Sequence, residues 1–126
     1  MNAPAFADAG LMCWLEAAAP EDFDSLPFGI IGMQPDGVVS IYNKTEAALA
    51  GLSPARVLGR HFFTAVAPCT NNFMVAQRFE TEAEIDATLG YVFTLRMAPT
   101  PVTLRLLKRP AARYMYLLVE RRRPHG

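Results

Sequence analysis

The sequence predicts an α+β fold: a five-stranded antiparallel sheet with its helices gathered on one face, over residues 28–126, preceded by an N-terminal cap over residues 1–27. Three observations carry this. The signals run strand, strand, short helices, longer helix, strand, strand, strand, which implies a single antiparallel sheet with segregated helices. Pro35-Asp36-Gly37 divides the first two strands as a hairpin turn, because glycine accepts positive φ. The last three strands alternate apolar and polar residues in part, as in Tyr91-Val92-Phe93-Thr94-Leu95-Arg96, which suits a sheet packed on one face. A chain of 126 residues can enclose one small core but not two.

In chain order, Leu11, Met12, Trp14 and Leu15 form an apolar patch in an Ala-rich, acidic background, predicting a helix over 10–18. Residues 28–34 and 38–42 read as the hairpin strands. Asn43 is a good N-cap for a helix that reaches residue 50 and is closed by Gly51. Ser53-Pro54 starts another helical turn that ends at Gly59. A further turn is expected over 62–66, broken by Pro68, and a longer helix over 73–86. Strands over 91–97, 102–108 and 114–121 finish the chain.

Half of the residues are apolar and the formal net charge is zero, so nothing in the composition favours nucleic acid or a membrane as partner. No apolar run approaches the length of a membrane span and no basic segment opens a secretory signal, which predicts a soluble, cytoplasmic monomer. The charges are segregated. Residues 1–27 hold five acids and no Lys or Arg, whereas residues 96–123 hold eight basic residues against Glu120. The cap is therefore expected to dock on the outer face of the sheet, held by the patch around Trp14 and helped by these opposite charges. Cys13 and Cys69 are too few for a disulfide framework and should be free thiols in a reducing compartment.

The chemistry-bearing residues are Cys69, within Ala67-Pro68-Cys69-Thr70, and Tyr42 with Glu46 at a spacing of four. A thiol, a phenol and a carboxyl on one spot make a poor hydrolase without a nearby histidine base. They make a good socket for a covalently held, acidic chromophore. His61 and His125 show neither metal-ligand spacing nor a triad partner, so no metal site and no enzyme activity is expected. Plainer readings stand beside this one. Asn43-x-x-Glu46 is also the spacing of a capping box with an ionised surface Glu46, Tyr42 can be an ordinary strand residue, and Cys69 an inert buried thiol. Arg121-Arg122-Arg123 reads as a solvated strand end.

The order of elements is that of the PAS fold. The chain resembles the photoactive yellow proteins from Leu26 to Arg121, through Leu26-Pro27-Phe28-Gly29, Tyr42-Asn43-x-x-Glu46, Gly51-x-x-Pro54, Gly59-x-x-Phe62-Phe63-x-x-Val66-Ala67-Pro68-Cys69-Thr70, Tyr91-x-Phe93 and Met97-x-Pro99-Thr100. The resemblance implies a blue-light photoreceptor carrying p-coumaric acid (4-hydroxycinnamic acid) as a thioester on Cys69, with the buried phenolate accepting hydrogen bonds from Tyr42 and protonated Glu46. It also implies trans-to-cis isomerisation, proton transfer from Glu46, and loosening of the fold as a signal to a downstream protein that the sequence does not identify. Met97 is implied in thermal return. Ala67 and Thr70 flank the thiol, while Ile31, Phe62, Val66, Phe93 and Leu95 supply apolar lining. Three positions depart from the best-known members: Ala50 and Leu52 replace a threonine and an arginine, and Leu95 a tyrosine, so colour and kinetics are expected to differ. The competing functions are a colourless PAS interaction module and, lacking its Asn-Cys-Arg-Phe-Leu motif, a flavin sensor of the LOV type.

Overall fold

Gly37 carries the hairpin: at φ 90° it occupies backbone space that other residues avoid, and its N–H closes the turn on the Gln34 carbonyl at 2.8 Å. The computed structural model describes residues 3–94 and 99–121. Leu95, Met97, Arg122, Arg123 and His125, all singled out by the sequence, lie outside those residues. Helices α1 (Leu11–Ala17) and α2 (Pro20–Phe23) precede the hairpin strands β1 (Gly29–Met33) and β2 (Val39–Tyr42). Asn43 caps α3 (Lys44–Ala50), its Oδ1 accepting from the Glu46 N–H at 3.0 Å, and Gly51 ends that helix in the left-handed region. Pro54 opens α4 (Pro54–Val57). The turn expected over 62–66 is a π-helical one, Phe62–Val66, followed by a 3-10 turn, Pro68–Thr70, and by α5 (Ala76–Thr81). Strands β3 (Ile85–Phe93), β4 (Thr100–Lys108) and β5 (Met115–Arg121) complete a five-stranded sheet of order β2-β1-β5-β4-β3, antiparallel at every pairing.

The helix expected over 73–86 is overturned. Helix α5 stops at Thr81, Glu82 is extended at φ −96° and ψ 131°, and β3 begins at Ile85, six residues before the strand expected from Tyr91. Pairing with β4 decides this, since Ile85 lies opposite Lys108 and the ladder runs unbroken to Phe93 opposite Thr100. Along β3, Asp86, Thr88, Gly90 and Val92 take turns with the more buried Ile85, Ala87, Leu89, Tyr91 and Phe93. That period of two outweighs the helical propensity of the Ala and Glu residues around position 83.

The sheet is covered on both faces. Ile31, Met33, Leu104, Leu106, Leu117 and Val119 belong to one core cluster with Phe62, Phe63 and Phe79. Their neighbours Ile30, Leu107, Tyr116 and Leu118 belong to a second, with Phe6, Leu11, Leu15, Phe23, Leu26 and Phe28. Successive strand residues point to opposite faces, so the N-terminal residues lie on the face away from α3 and α5. The docking expected of residues 1–27 is thus observed for the described part of that segment, from Phe6 to Leu26.

Burial does most of the holding. Each buried Leu or Phe is worth ~1.5–3 kcal/mol, whereas the exposed Arg109–Glu16 pair, 3.9 Å apart, falls in the class worth ~0.2–1 kcal/mol. A stronger polar tie comes from Arg105, buried on β4. Its Nη1 donates to the carbonyls of Phe6 at 2.9 Å and Asp8 at 2.7 Å, while Nε and Nη2 grip Asp86 at 2.9 and 3.0 Å. Arg105→Met should lower stability by ~1–3 kcal/mol and speed amide exchange over residues 6–15. Arg109→Met should change stability by less than ~0.5 kcal/mol. Hydrogen exchange with urea unfolding decides it, and equal protection of the N-terminal segment in both variants would refute the Arg105 clamp.

Candidate functional site

Glu46 occupies the third position of α3, where the helix starts against β1, and is 1% exposed. Such burial needs room and a partner. Room comes from Gly29 on β1: a Cβ there would sit 2.0 Å from Glu46 Oε1, so glycine alone allows the carboxyl to lie against the strand. The partner is Arg121. Its Nη1 donates to Oε1 at 2.7 Å and its Nη2 to Oε2 at 3.1 Å, a two-pronged fork from the end of β5. The same guanidinium lies 6.0 Å from the Phe93 ring centroid.

This corrects two readings of the sequence. Arg121 is not a solvated strand end: Met115, Leu117 and Val119 face the helices, and the period of two carries residue 121 to that face. Nor does Glu46 complete a capping box. Asn43 Oδ1 accepts from the Glu46 N–H, but the Asn43 N–H donates to the Ile30 carbonyl at 3.1 Å and the Glu46 carboxyl turns to Arg121.

Tyr42 ends β2, buried within the helix-side core. Burial raises its phenol well above the ordinary value, with the Glu46 charge adding and Arg121 opposing. Burial likewise holds the Glu46 carboxyl above its ordinary value, with the hydrogen bonds and then the charge of Arg121 opposing. Both Glu46 oxygens accept from a permanently charged donor, an arrangement that suits the carboxylate, since a guanidinium has no lone pair to accept a carboxyl proton.

Cys69 is half-buried in the turn Pro68–Thr70 and packs against the cluster that holds Tyr42, Ile31, Phe62, Ala67 and Phe93, with Val66 and Leu52 at its margin. Its backbone is held firmly. The Tyr91 hydroxyl donates to the Cys69 carbonyl, Asn72 Nδ2 donates to the same oxygen at 3.3 Å, and the Thr70 hydroxyl donates to the Ala67 carbonyl at 2.7 Å. Ala50 is buried, and Leu52 shares a surface hollow of about 360 Å³ with Arg56, Arg60 and Val66. A larger cavity of about 770 Å³ is lined by Leu15, Phe23, Ile41, Tyr42, Asn43 and Tyr116, and neither Cys69 nor Glu46 belongs to its lining. Cys13 is exposed beside Arg109, far from this cluster in the fold. Sequence reasoning missed Asn72 and Tyr91 as holders of Cys69, and Arg121 as partner of Glu46. The parity of β5 was the available signal for the arginine.

The family model described as the PAS fold matches residues 23–87. The photoactive yellow protein of Rhodobacter capsulatus is 32% identical over 111 residues, spanning 83% of this chain and 87% of that protein. That of Rhodothalassium salexigens is 33% identical over 101 residues, spanning 78% of this chain and 81% of its own. The photoactive yellow protein domain of the sensor histidine kinase Ppr from Rhodospirillum centenum superposes with a TM-score of 0.78 at 37% identity, covering 86% of this chain and 98% of that domain.

The close approach at Gly29 is testable by itself. Gly29→Ala should cost ~1–3 kcal/mol by driving Glu46 off Arg121, and most of that cost should vanish in a Glu46→Ala background. Urea unfolding of the four proteins measures the coupling. Additive losses would mean that Gly29 is not the socket of Glu46.

Proposed function

The chain belongs to the photoactive yellow protein family, and from that premise we propose that it is a blue-light photoreceptor holding p-coumaric acid as a thioester on Cys69. The observation that carries this reading is the placement of Cys69 against the same core cluster as Tyr42, with the Glu46–Arg121 pair beside it. The residues suit such a pigment: a thiol for the acyl end, Ile31, Phe62 and Phe93 as apolar walls for a flat ring, and a phenol, a carboxyl and a cation for an acidic ring end. When bound, the pigment supplies visible absorption and a double bond that light can turn.

The chain's own residues do the rest. The Cys69 thiol gives up its proton and takes the acyl group of an activated donor, forming the S–C bond as the donor's leaving group departs. Tyr42 donates a hydrogen bond to the ring oxygen. Glu46 carries a proton on a carboxylate oxygen in the dark and gives it to the ring oxygen after illumination, so that the negative charge moves onto the carboxylate inside the core. That charge appears in the first turn of α3, whose cap Asn43 is tied to the N-terminal segment through the Phe23 carbonyl at 2.9 Å. Loosening of residues 1–27 as a cap on the domain of residues 28–126 is therefore the output, read by a downstream protein. Ala50, Leu52 and Leu95 tune colour and kinetics, Ala67, Val66 and Thr70 frame the thiol, and Met97 promotes thermal return. The module acts as a non-enzymatic cytoplasmic monomer.

Expression with activated p-coumaric acid, followed by absorption and mass spectra, tests the assignment. Wild type and Cys13→Ala should be yellow and carry the acyl mass, and Cys69→Ala should be colourless. Wild type that takes up no pigment would point to a colourless PAS interaction module, and pigment on Cys13 would overturn the site.

A further inference from the structure

Arg121 takes no part in the proton transfer outlined above, yet it is the direct partner of that chemistry's acid. Resting on the photoreceptor reading, we propose that Arg121 and Glu46 form the base that ionises the incoming phenol: Glu46 stands as a carboxylate against Arg121 in pigment-free protein and becomes the dark-state acid by taking the phenol's own proton.

The argument begins with the fork. Arg121 donates to both Glu46 oxygens, at 2.7 and 3.1 Å, with its side chain 14% exposed and that of Glu46 1% exposed. A neutral carboxylic acid at this place would point a proton at a group with nothing to accept it. Among the described residues, the site thus begins with one buried cation and one buried anion, a net charge of zero.

A p-coumaroyl group enters as a neutral phenol. Were it to ionise while Glu46 stayed charged, two anions would face one cation in a dry pocket, at a cost of several kcal/mol. The alternative balances. The phenol O–H bond breaks, an O–H bond forms on a Glu46 carboxylate oxygen, and Arg121 remains as countercharge to the single phenolate; no outside proton, oxidant or reductant is needed. Among the described residues, the titratable and charged groups facing Glu46 are Tyr42 at the end of β2 and Arg121 at the end of β5, and β1 brings only Gly29. The cation also acts on Tyr42, at the ring end of the proposed pocket. It thereby supplies the positive charge that Leu52 does not.

A consequence follows for the lit protein. When Glu46 gives its proton back, the carboxylate is regenerated beside Arg121 and pairs with it again. The light-driven change is then an exchange of the guanidinium's partner between phenolate and carboxylate, and the core never holds a wholly unpaired anion.

The test uses infrared spectra of full-length wild type, Arg121→Gln, Arg121→Lys and Glu46→Gln, first without pigment. Wild type minus Glu46→Gln should show a carboxylate signal and no carboxylic-acid carbonyl band at neutral pH, Arg121→Gln should show the carbonyl band, and Arg121→Lys should retain the carboxylate. After loading, wild type should gain the carbonyl band, and acid titration of the yellow colour should move up by about 1–3 pH units in Arg121→Gln and by less in Arg121→Lys. A protonated Glu46 in pigment-free wild type overturns the proposal, whatever the variants do. So does a colour titration that Arg121→Gln leaves unmoved. If wild type takes up no pigment, the photoreceptor reading fails and the phenol step with it, while the pigment-free spectra still decide whether Arg121 fixes Glu46 as an anion.

Discussion

The side chain of Asn43 is the joint on which the two faces of the sheet meet. It is buried, and all of its hydrogen-bonding capacity is engaged. Oδ1 accepts from the Ile30 N–H at 2.9 Å and from the Glu46 N–H at 3.0 Å; Nδ2 donates to the carbonyls of Phe23 at 2.9 Å and Phe28 at 3.1 Å. One amide thus caps α3, fixes the start of β1 and ties down the end of the N-terminal segment. The neighbouring residues reinforce it, the Lys44 N–H donating to Asp24 at 2.7 Å and the Thr45 hydroxyl to the Leu26 carbonyl at 2.6 Å. The four bonds of the Asn43 side chain are buried, so removal of one partner leaves others unpaired at ~1–3 kcal/mol apiece. The first turn of α3 cannot shift without disturbing the segment behind the sheet.

Glu46 sits in that first turn, which gives its charge structural leverage. A buried ion pair contributes little net stability against an apolar replacement, yet breaking one strands a charge. On the proposed photoreceptor reading, Glu46 and Arg121 serve as an electrostatic switch element more than as a fastening. The fastening lies elsewhere, in Leu11, Leu15, Phe23, Leu26 and Phe28 against Ile30, Leu107 and Leu118, and in Arg105, which collects the Phe6 and Asp8 carbonyls. On that reading, separating the switch from the fastening would let a proton at Glu46 alter the N-terminal segment without unfolding the sheet.

Much of this was legible in the residues. Asp36-Gly37 gave the hairpin, Asn43 the cap of α3, Gly51 its end, and the alternation after Val102 the sheet, because these signals are local and owe little to distant contacts. Residues 73–86 were misread since their strand half is fixed by partners more than a dozen residues away in β4, which no local propensity encodes. Arg121 was misread for a related reason. A run of three arginines suggests solvent, and only the register of β5 on β1, with Val119 opposite Gly29, turns residue 121 inward toward Glu46. Tyr42, Glu46 and Cys69 stand out in the sequence because their types are chemically unusual together, whereas Tyr91 and Asn72 hold only the Cys69 backbone and leave no such trace.

The central claim is that a charge change at Glu46 is transmitted through Asn43 to the segment on the far face of the sheet. Hydrogen exchange of the pigment-loaded protein, followed in darkness and under steady blue light, tests it most directly. The account predicts that light accelerates exchange in the first turn of α3 and over residues 6–26 together, while β4 and β5 stay protected. Acceleration confined to the turns around Cys69, with the N-terminal segment as protected as in darkness, would contradict it.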